Sequence, residues 1–229
     1  MNSSSRRKTR RGVIGIESAI VMIAFVIVAA ALAFVVLNMG FSTTQKTKSA
    51  ISSSIVESGS SLEVSGKVTG IGYVSAGKLN ATIIPIKVAG GGDSVNLDPA
   101  TTTIKYYSNS VRYDNIYNNN CALTSATYNN VTTALEAAKT ATCIDQNPSG
   151  SGSAAPTNTR AVVYWDVSNT PQNKILDQGE HAEVAIAYDS ADRPSALDNV
   201  KIEVVVPTGS ALTVERMVPS VTTSVVDLG

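Results

Sequence analysis

One histidine, His181, is all the imidazole this 229-residue chain has. A Ser-His-Asp or Cys-His arrangement would have to rest on that residue alone, and its place at the head of an apolar run reads better as a polar residue opening a strand. Two cysteines, Cys121 and Cys143, stand far apart with no CxxC spacing, which argues against structural zinc. Neither a phosphate-binding P-loop nor a dinucleotide fingerprint is present, and no internal repeat stands out. Together these absences leave no catalytic constellation and no expected cofactor or metal. The expectation is a protein that is not an enzyme.

Charge is missing where it matters most. From Val13 to Met39 the only ionisable side chain is Glu17, whereas Arg6, Arg7, Lys8, Arg10 and Arg11 crowd the stretch before Gly12. A helix over those 27 residues reaches about 40 Å, enough to cross a bilayer. An ordinary secretory signal carries its small cleavage residues beyond the apolar run. Here the small residue, Gly12, comes before it. Cleavage between Gly12 and Val13 would discard the charges, keep the apolar helix and make Glu17 the fifth residue of the mature chain. It would also turn a formally neutral chain into one with 13 positive and 18 negative side chains, a balance of −5. That acidic balance gives no basis for a nucleic-acid partner.

The apolar run has no polar face, so it suits lipid or other helices rather than the surface of a core. Gly15, Ser18, Ala29, Ala30, Ala31 and Ala33 keep parts of it thin enough for helices to approach closely. Past Gly40 the composition turns polar while Ala50, Ile51, Ile55 and Val56 persist, which predicts an amphipathic continuation ending near Gly59. From Leu62 the pattern becomes short β-branched runs between glycine, asparagine and proline. LEVSGKVTGIGYVS, LNATIIPIKVAG, TTTIKYYSNSVRY, RAVVYWDV, HAEVAIAYD, VKIEVVVPTG, LTVERMVP and TTSVVDL all read as strands. The expected fold class is α+β: a long N-terminal α-helix followed by an all-β, Ig-like sandwich or barrel head. The expected parts are a leader at 1–12, a helix at 13–60 and a head at 61–229. Residues 108–160, with the asparagine run, both cysteines and a short helix at VTTALEAAKTA, are expected to form a surface insertion.

Four further expectations concern single residues. Glu17 is costly inside an apolar helix unless it finds a partner, and the amino group that cleavage would create at Val13 is a natural one, on a neighbouring copy. Cys121 and Cys143 are expected to form a disulfide outside the cytoplasm, two unpaired thiols being the alternative. Asn80 in NAT and Asn130 in NVT begin sequons in the exported part and are candidates for N-glycosylation. Asp166, Asn169, Asn173, Asp177 and Glu180 gather oxygen atoms of the kind a hard cation takes, but the EF-hand order is absent and an Asx-rich turn explains them as well. No metal is assigned there.

A basic leader ending in RRG, a long apolar helix and a glutamate at the fifth mature position resemble the class III signal of type IV pilin-like proteins. Three head segments, LEVSGKVTG, GEHAEVAIAY and LTVERMVPSVTTSVVDLG, resemble the archaellins, the subunits of the archaeal motility filament. The 108–160 stretch has no counterpart in this resemblance. It implies a structural subunit that polymerises through its N-terminal helices, alone or with other archaellins, into an extracellular filament on the archaeal cell surface. It also implies a precursor in the cytoplasmic membrane, a prepilin-type signal peptidase acting at Gly12–Val13, and an assembly platform with its ATPase motor. Glu17 takes the role in processing and assembly that the family gives its fifth residue. An adhesive archaeal type IV pilin, which would share the leader, Glu17 and the helix, is the alternative.

Overall fold

The computed structural model describes residues 11–59, 62–149, 154–169 and 173–229. The chain divides into two units, Met1–Ser53 and Ser54–Gly229. The N-terminal helix, α1, runs unbroken over Arg11–Gly59, 49 residues, which at 1.5 Å per residue is about 74 Å. Serine and threonine beyond Gly40 ought to weaken it, because their side chains compete for backbone groups. Two of them are spent inside the helix instead: the Thr44 and Thr47 hydroxyls donate to the Gly40 and Thr43 carbonyls at 2.8 and 2.9 Å.

The head is built from β1 (Leu62–Val64), β2 (Thr69–Tyr73), β3 (Lys78–Val88), β4 (Val95–Asn96), β5 (Thr103–Tyr107), β6 (Arg112–Tyr113) and β7 (Tyr117–Thr127). After helix α2 (Val131–Thr140) follow β8 (Arg160–Val167), β9 (Ile175–Leu176), β10 (His181–Ala187), β11 (Asn199–Val205), β12 (Leu212–Met217) and β13 (Val225–Asp227). The main sheet orders its strands β13-β2-β3-β10-β8-β7, with β1 also paired to β3. A second sheet orders β12-β11-β5-β6, and β4 pairs with β9. Neither large sheet closes on itself among the described residues, so the head is a layered sheet structure rather than a barrel.

All eight segments expected as strands contain one. LEVSGKVTGIGYVS splits in two, and Pro85 explains where. Both β1 and β2 lie along one edge of β3, with Val64 opposite Ile86 and Thr69 opposite Ile83. The Pro85 carbonyl accepts from Ser65 N at 2.9 Å on that edge. In a strand the N–H and C=O of one residue point the same way, so the N–H that proline lacks would have faced the gap between β1 and β2. The ladder breaks where it has no donor.

Strands β3, β8 and β10 are buried at consecutive positions, including Leu79 to Ile84, Ala161 to Trp165 and Val184 to Ala187. Strands buried on alternate residues have one wet face; strands buried throughout have both faces covered. One cover is the second sheet, whose Tyr106 ring sits 5.3 Å from that of Tyr188 just beyond β10. Glu183 is five residues from Tyr188 and therefore on the opposite face, where it pairs across the sheet with Tyr164. Tyr164 is met there edge-on by Tyr128 at 6.1 Å, just before α2.

This corrects the expectation of a surface insertion at 108–160. Strand β7 extends the main sheet as the parallel neighbour of β8. Ala134, Leu135 and Ala138 of α2, with Tyr117, Cys121, Leu123 and Ile144, belong to the core. The segment is covering structure rather than decoration, and the asparagines that disguised β7 occupy its exposed positions at 118–120.

Among the described glycines, Gly72 is the most closely approached. A Cβ there would lie 2.3 Å from the Thr223 carbonyl oxygen and 2.7 Å from Val221 Cγ1. Gly72→Ala must push the segment leading into β13 off the sheet edge, and is expected to destabilise the head by about 1–3 kcal/mol. Thermal unfolding of the detergent-solubilised chain checks this: a lowered midpoint is expected, and an unchanged one contradicts the contact.

Candidate assembly surface

The first unit offers one feature on which function can be built, the bare apolar surface of α1. Its most apolar 18-residue window has a mean hydropathy of 3.3, and the helix is long and apolar enough to cross a membrane. Phe25 is 74% exposed, Leu37 72% and Val28 56%, and large apolar side chains from Ile16 to Phe41 are exposed on every face. Each aliphatic side chain left in water forgoes about 1.5–3 kcal/mol. Such a surface requires lipid or other helices around it.

Two hollows on this surface contain an ionisable group. Glu17 lies beside Ser18, Val21, Met22 and Phe25. Farther along, Val36, Met39, Gly40, Thr43 and Ile51 line a shallow groove that includes Lys48. Nothing stands within 4 Å of the position a Gly40 Cβ would take, so a partner helix can approach its backbone there. The backbone at Gly12 and Val13 is helical. The surroundings of those two residues, and residues 1–10 of the leader expected at 1–12, lie outside the described residues.

The head residues singled out in the sequence fare differently. Cys121 on β7 is bonded to Cys143 just after α2, with Cα atoms 5.0 Å apart, and both are buried. The bridge closes a loop around α2 and holds it to the sheet edge.

Asn130 is exposed and caps α2, its Oδ1 accepting from Thr132 N at 2.8 Å. The cap uses the oxygen, whereas a glycan attaches to the nitrogen, so the two roles are compatible. Asn80 is the opposite case and corrects the expectation made for it. It is 1% exposed in the central strand β3, and its Nδ2 donates to the Pro148 carbonyl at 3.1 Å. A sugar on that atom would displace the covering segment. The triplet NAT is a local signal, and burial is decided by strands far away in the chain.

The acidic turn is occupied by its own backbone. Glu180 is 4% exposed. Its Oε1 accepts from Ser168 Oγ at 3.1 Å and Asn169 N at 2.8 Å, and its Oε2 from Asp177 N at 3.0 Å. Asn173 Oδ1 accepts from Ile175 N. Thr170, Pro171 and Gln172 lie outside the described residues. These bonds are those of an Asx-rich turn that delivers the chain into β10. His181 opens β10, paired with Lys87 and Val167.

Sequence reasoning missed two carboxylates of the head, Asp192, which is buried, and Glu183, which is half-buried. Asp192 accepts from Tyr113 at 2.8 Å and Thr159 at 2.6 Å, tying the second sheet to the segment before β8. Glu183 accepts from the Tyr164 hydroxyl, and burial pushes its carboxyl above the ordinary range. Both hold the fold together, and alternation in HAEVAIA was the only signal that could have flagged Glu183.

A helix with a long, exposed apolar run, joined to a β-sheet head, defines a subunit made to be assembled with others. The archaeal-type flagellin family model matches residues 12–216. A probable flagellin of Aeropyrum pernix is 37% identical over 213 residues, covering 93% of this chain and 94% of that protein. Flagellin FlaB2 of Saccharolobus shibatae is 35% identical over 116 residues, 49% of this chain and 38% of its own length. Among solved structures, the archaeal flagellum of Methanospirillum hungatei superposes with a TM-score of 0.60 at 22% identity, over 94% of this chain and 99% of that one. The crystal structure of flagellin FlaB1 from Methanocaldococcus jannaschii gives 0.56 at 13% identity, over 74% of this chain and 96% of that one. At these identities the two structural likenesses are likenesses of fold.

The chain belongs to the archaeal-type flagellin family. It is a structural, non-enzymatic subunit of the archaeal motility filament, on the outside of the cell.

Proposed function

We propose that α1 forms the core of this filament and serves as a membrane segment before assembly. The observation that carries this reading is the absence of a polar face along the helix from Ile16 to Met39. In the membrane the helix would face lipid, and in the filament like helices, so transfer between the two need not expose it to water. The heads then form the outer wall, and the filament works as a screw turned from its base by an assembly platform with an ATPase motor.

Processing precedes assembly in this account. A prepilin-type signal peptidase cuts between Gly12 and Val13, which removes the basic residues that hold the leader at the cytoplasmic face. Glu17 then sits one turn from the new amino group, and the Val13 amine of a neighbouring copy supplies a cation for it. Support comes from the order of leader, Gly12 and apolar run, and from Glu17 being the only ionisable residue between Val13 and Gln45. The glycan is assigned to Asn130 alone, on its exposure.

Mass spectrometry of protein from sheared filaments tests these points together. An N-terminus at Val13, with any glycan increment confined to the Asn130 peptide, is expected. An N-terminus at Met1 contradicts the processing step, and a sugar on Asn80 contradicts the burial argument.

A further inference from the structure

Glu17 is the only ionisable residue at the start of the apolar run, and Lys46 and Lys48 are the first beyond it; from Ser18 to Gln45 there is none. All three side chains are exposed on α1, and none is in an ion pair among the described residues. Because α1 is one unbroken helix over Arg11–Gly59, their relative positions are fixed. Glu17 and Lys48 are 31 residues apart, about 46 Å along the axis and about 140° round it. Glu17 and Lys46 are 29 residues apart and within about 20° of the same face.

Those angles decide which lysine can serve. Consider two parallel copies side by side, one shifted along the axis relative to the other. A Glu17 that points from one helix toward its neighbour must meet a residue pointing back, on the opposite face of that neighbour. Lys48 points broadly back, and Lys46 points the same way as Glu17. A flexible four-carbon stem covers the remaining misalignment.

From this we infer that Glu17 of one copy pairs with Lys48 of a second, parallel copy displaced by about 46 Å, and that this pair sets one axial register of the helix bundle. The inference rests on the bundled-core reading above and names a second partner for Glu17. A carboxylate has two oxygens, so the Val13 amine and the Lys48 ammonium can both be served. The apolar runs of the two paired copies would meet end to end. Copies at intermediate heights lie alongside and cover them. A uniformly apolar helix can slide against its like with little penalty, so register needs a polar marker, and one buried pair per copy provides it. The groove formed by Gly40, Thr43 and Ile51 beside Lys48 lets the second helix come close at that level.

Charge reversal at one position at a time tests the pairing, with filament yield and the mature N-terminus both measured. Lys48→Glu leaves the leader and Glu17 intact and is expected to lower the yield of sheared filaments by on the order of a hundredfold, the loss that follows when a buried pair is broken. Lys48→Arg keeps the cation and Lys46→Glu leaves the pair untouched, so both should assemble normally. Normal filaments from Lys48→Glu, loss of filaments from Lys48→Arg, or an equal loss from Lys46→Glu would each overturn the pairing. A charge at Val28 in the same series keeps the two readings apart: if it abolishes filaments while Lys48→Glu assembles normally, the bundled core stands and the pairing does not.

Discussion

Cells producing only the Val28→Asp variant are expected to make no filaments. Val28 lies in the middle of the apolar run and is 56% exposed on α1. In a bundled core every copy would place a carboxylate among the alanine, valine and phenylalanine side chains of its neighbours, with no cation within two turns on its own helix. An unpaired charge at a membrane helix centre costs about 2.5–3.5 kcal/mol on insertion scales, and in a polymer the same cost recurs at every subunit. Val28→Leu keeps the surface apolar and should assemble normally, so the pair of variants separates charge from shape. Processed Val28→Asp chain in the membrane fraction would place the defect at assembly, and normal filaments would refute the core.

Removing the disulfide has the second largest expected effect, on the head. Cys121 and Cys143 are 22 residues apart, and constraining a loop of that length in the unfolded chain is worth roughly 3 kcal/mol. The double variant Cys121→Ala/Cys143→Ala should therefore lower the thermal midpoint of the head by about 6–12 °C. The loss should appear first as release of α2, which the bridge joins to β7. Cleavage by protease between β7 and β8 is the readout, and it should rise well above that of the natural chain. An unchanged midpoint and cleavage rate would mean that packing of Leu135 and Ala138 alone holds the segment.

Much of this architecture is legible from residue patterns. The helix follows from a lack of charge between Val13 and Met39, a signal too long and uniform to be mistaken for a buried strand. Strands β8 and β11 are legible because RAVVYWDV and VKIEVVV are dense in β-branched residues, and β10 because HAEVAIAYD is a short apolar run opened by polar residues. What escapes is decided by distant pairing. Strand β7 begins YNNNC, a poor strand by composition, and exists because β8 offers a parallel edge and the core takes Tyr117, Cys121 and Leu123. Two-residue strands such as β4 and β9 carry no pattern at all.

The same distinction separates the two sequons. NAT and NVT are equivalent as triplets, yet Asn80 falls in the central strand and Asn130 is the exposed cap of α2. Glu180 resembles a cation ligand in the sequence because its neighbours supply oxygens, and only the fold reveals that backbone amides already fill its carboxylate. Glu17 differs from both. Its isolation in an apolar run is a property of residue order itself, so it stands out without any knowledge of long-range pairing.

Helical reconstruction of natural filaments by electron cryomicroscopy decides whether α1 forms the filament core. The expected density has α1, beginning at Val13, packed against α1 of other copies along the filament axis with the β-sheet heads outside. Density in which the heads meet at the axis, or in which α1 is surrounded by solvent rather than by other helices, would contradict it.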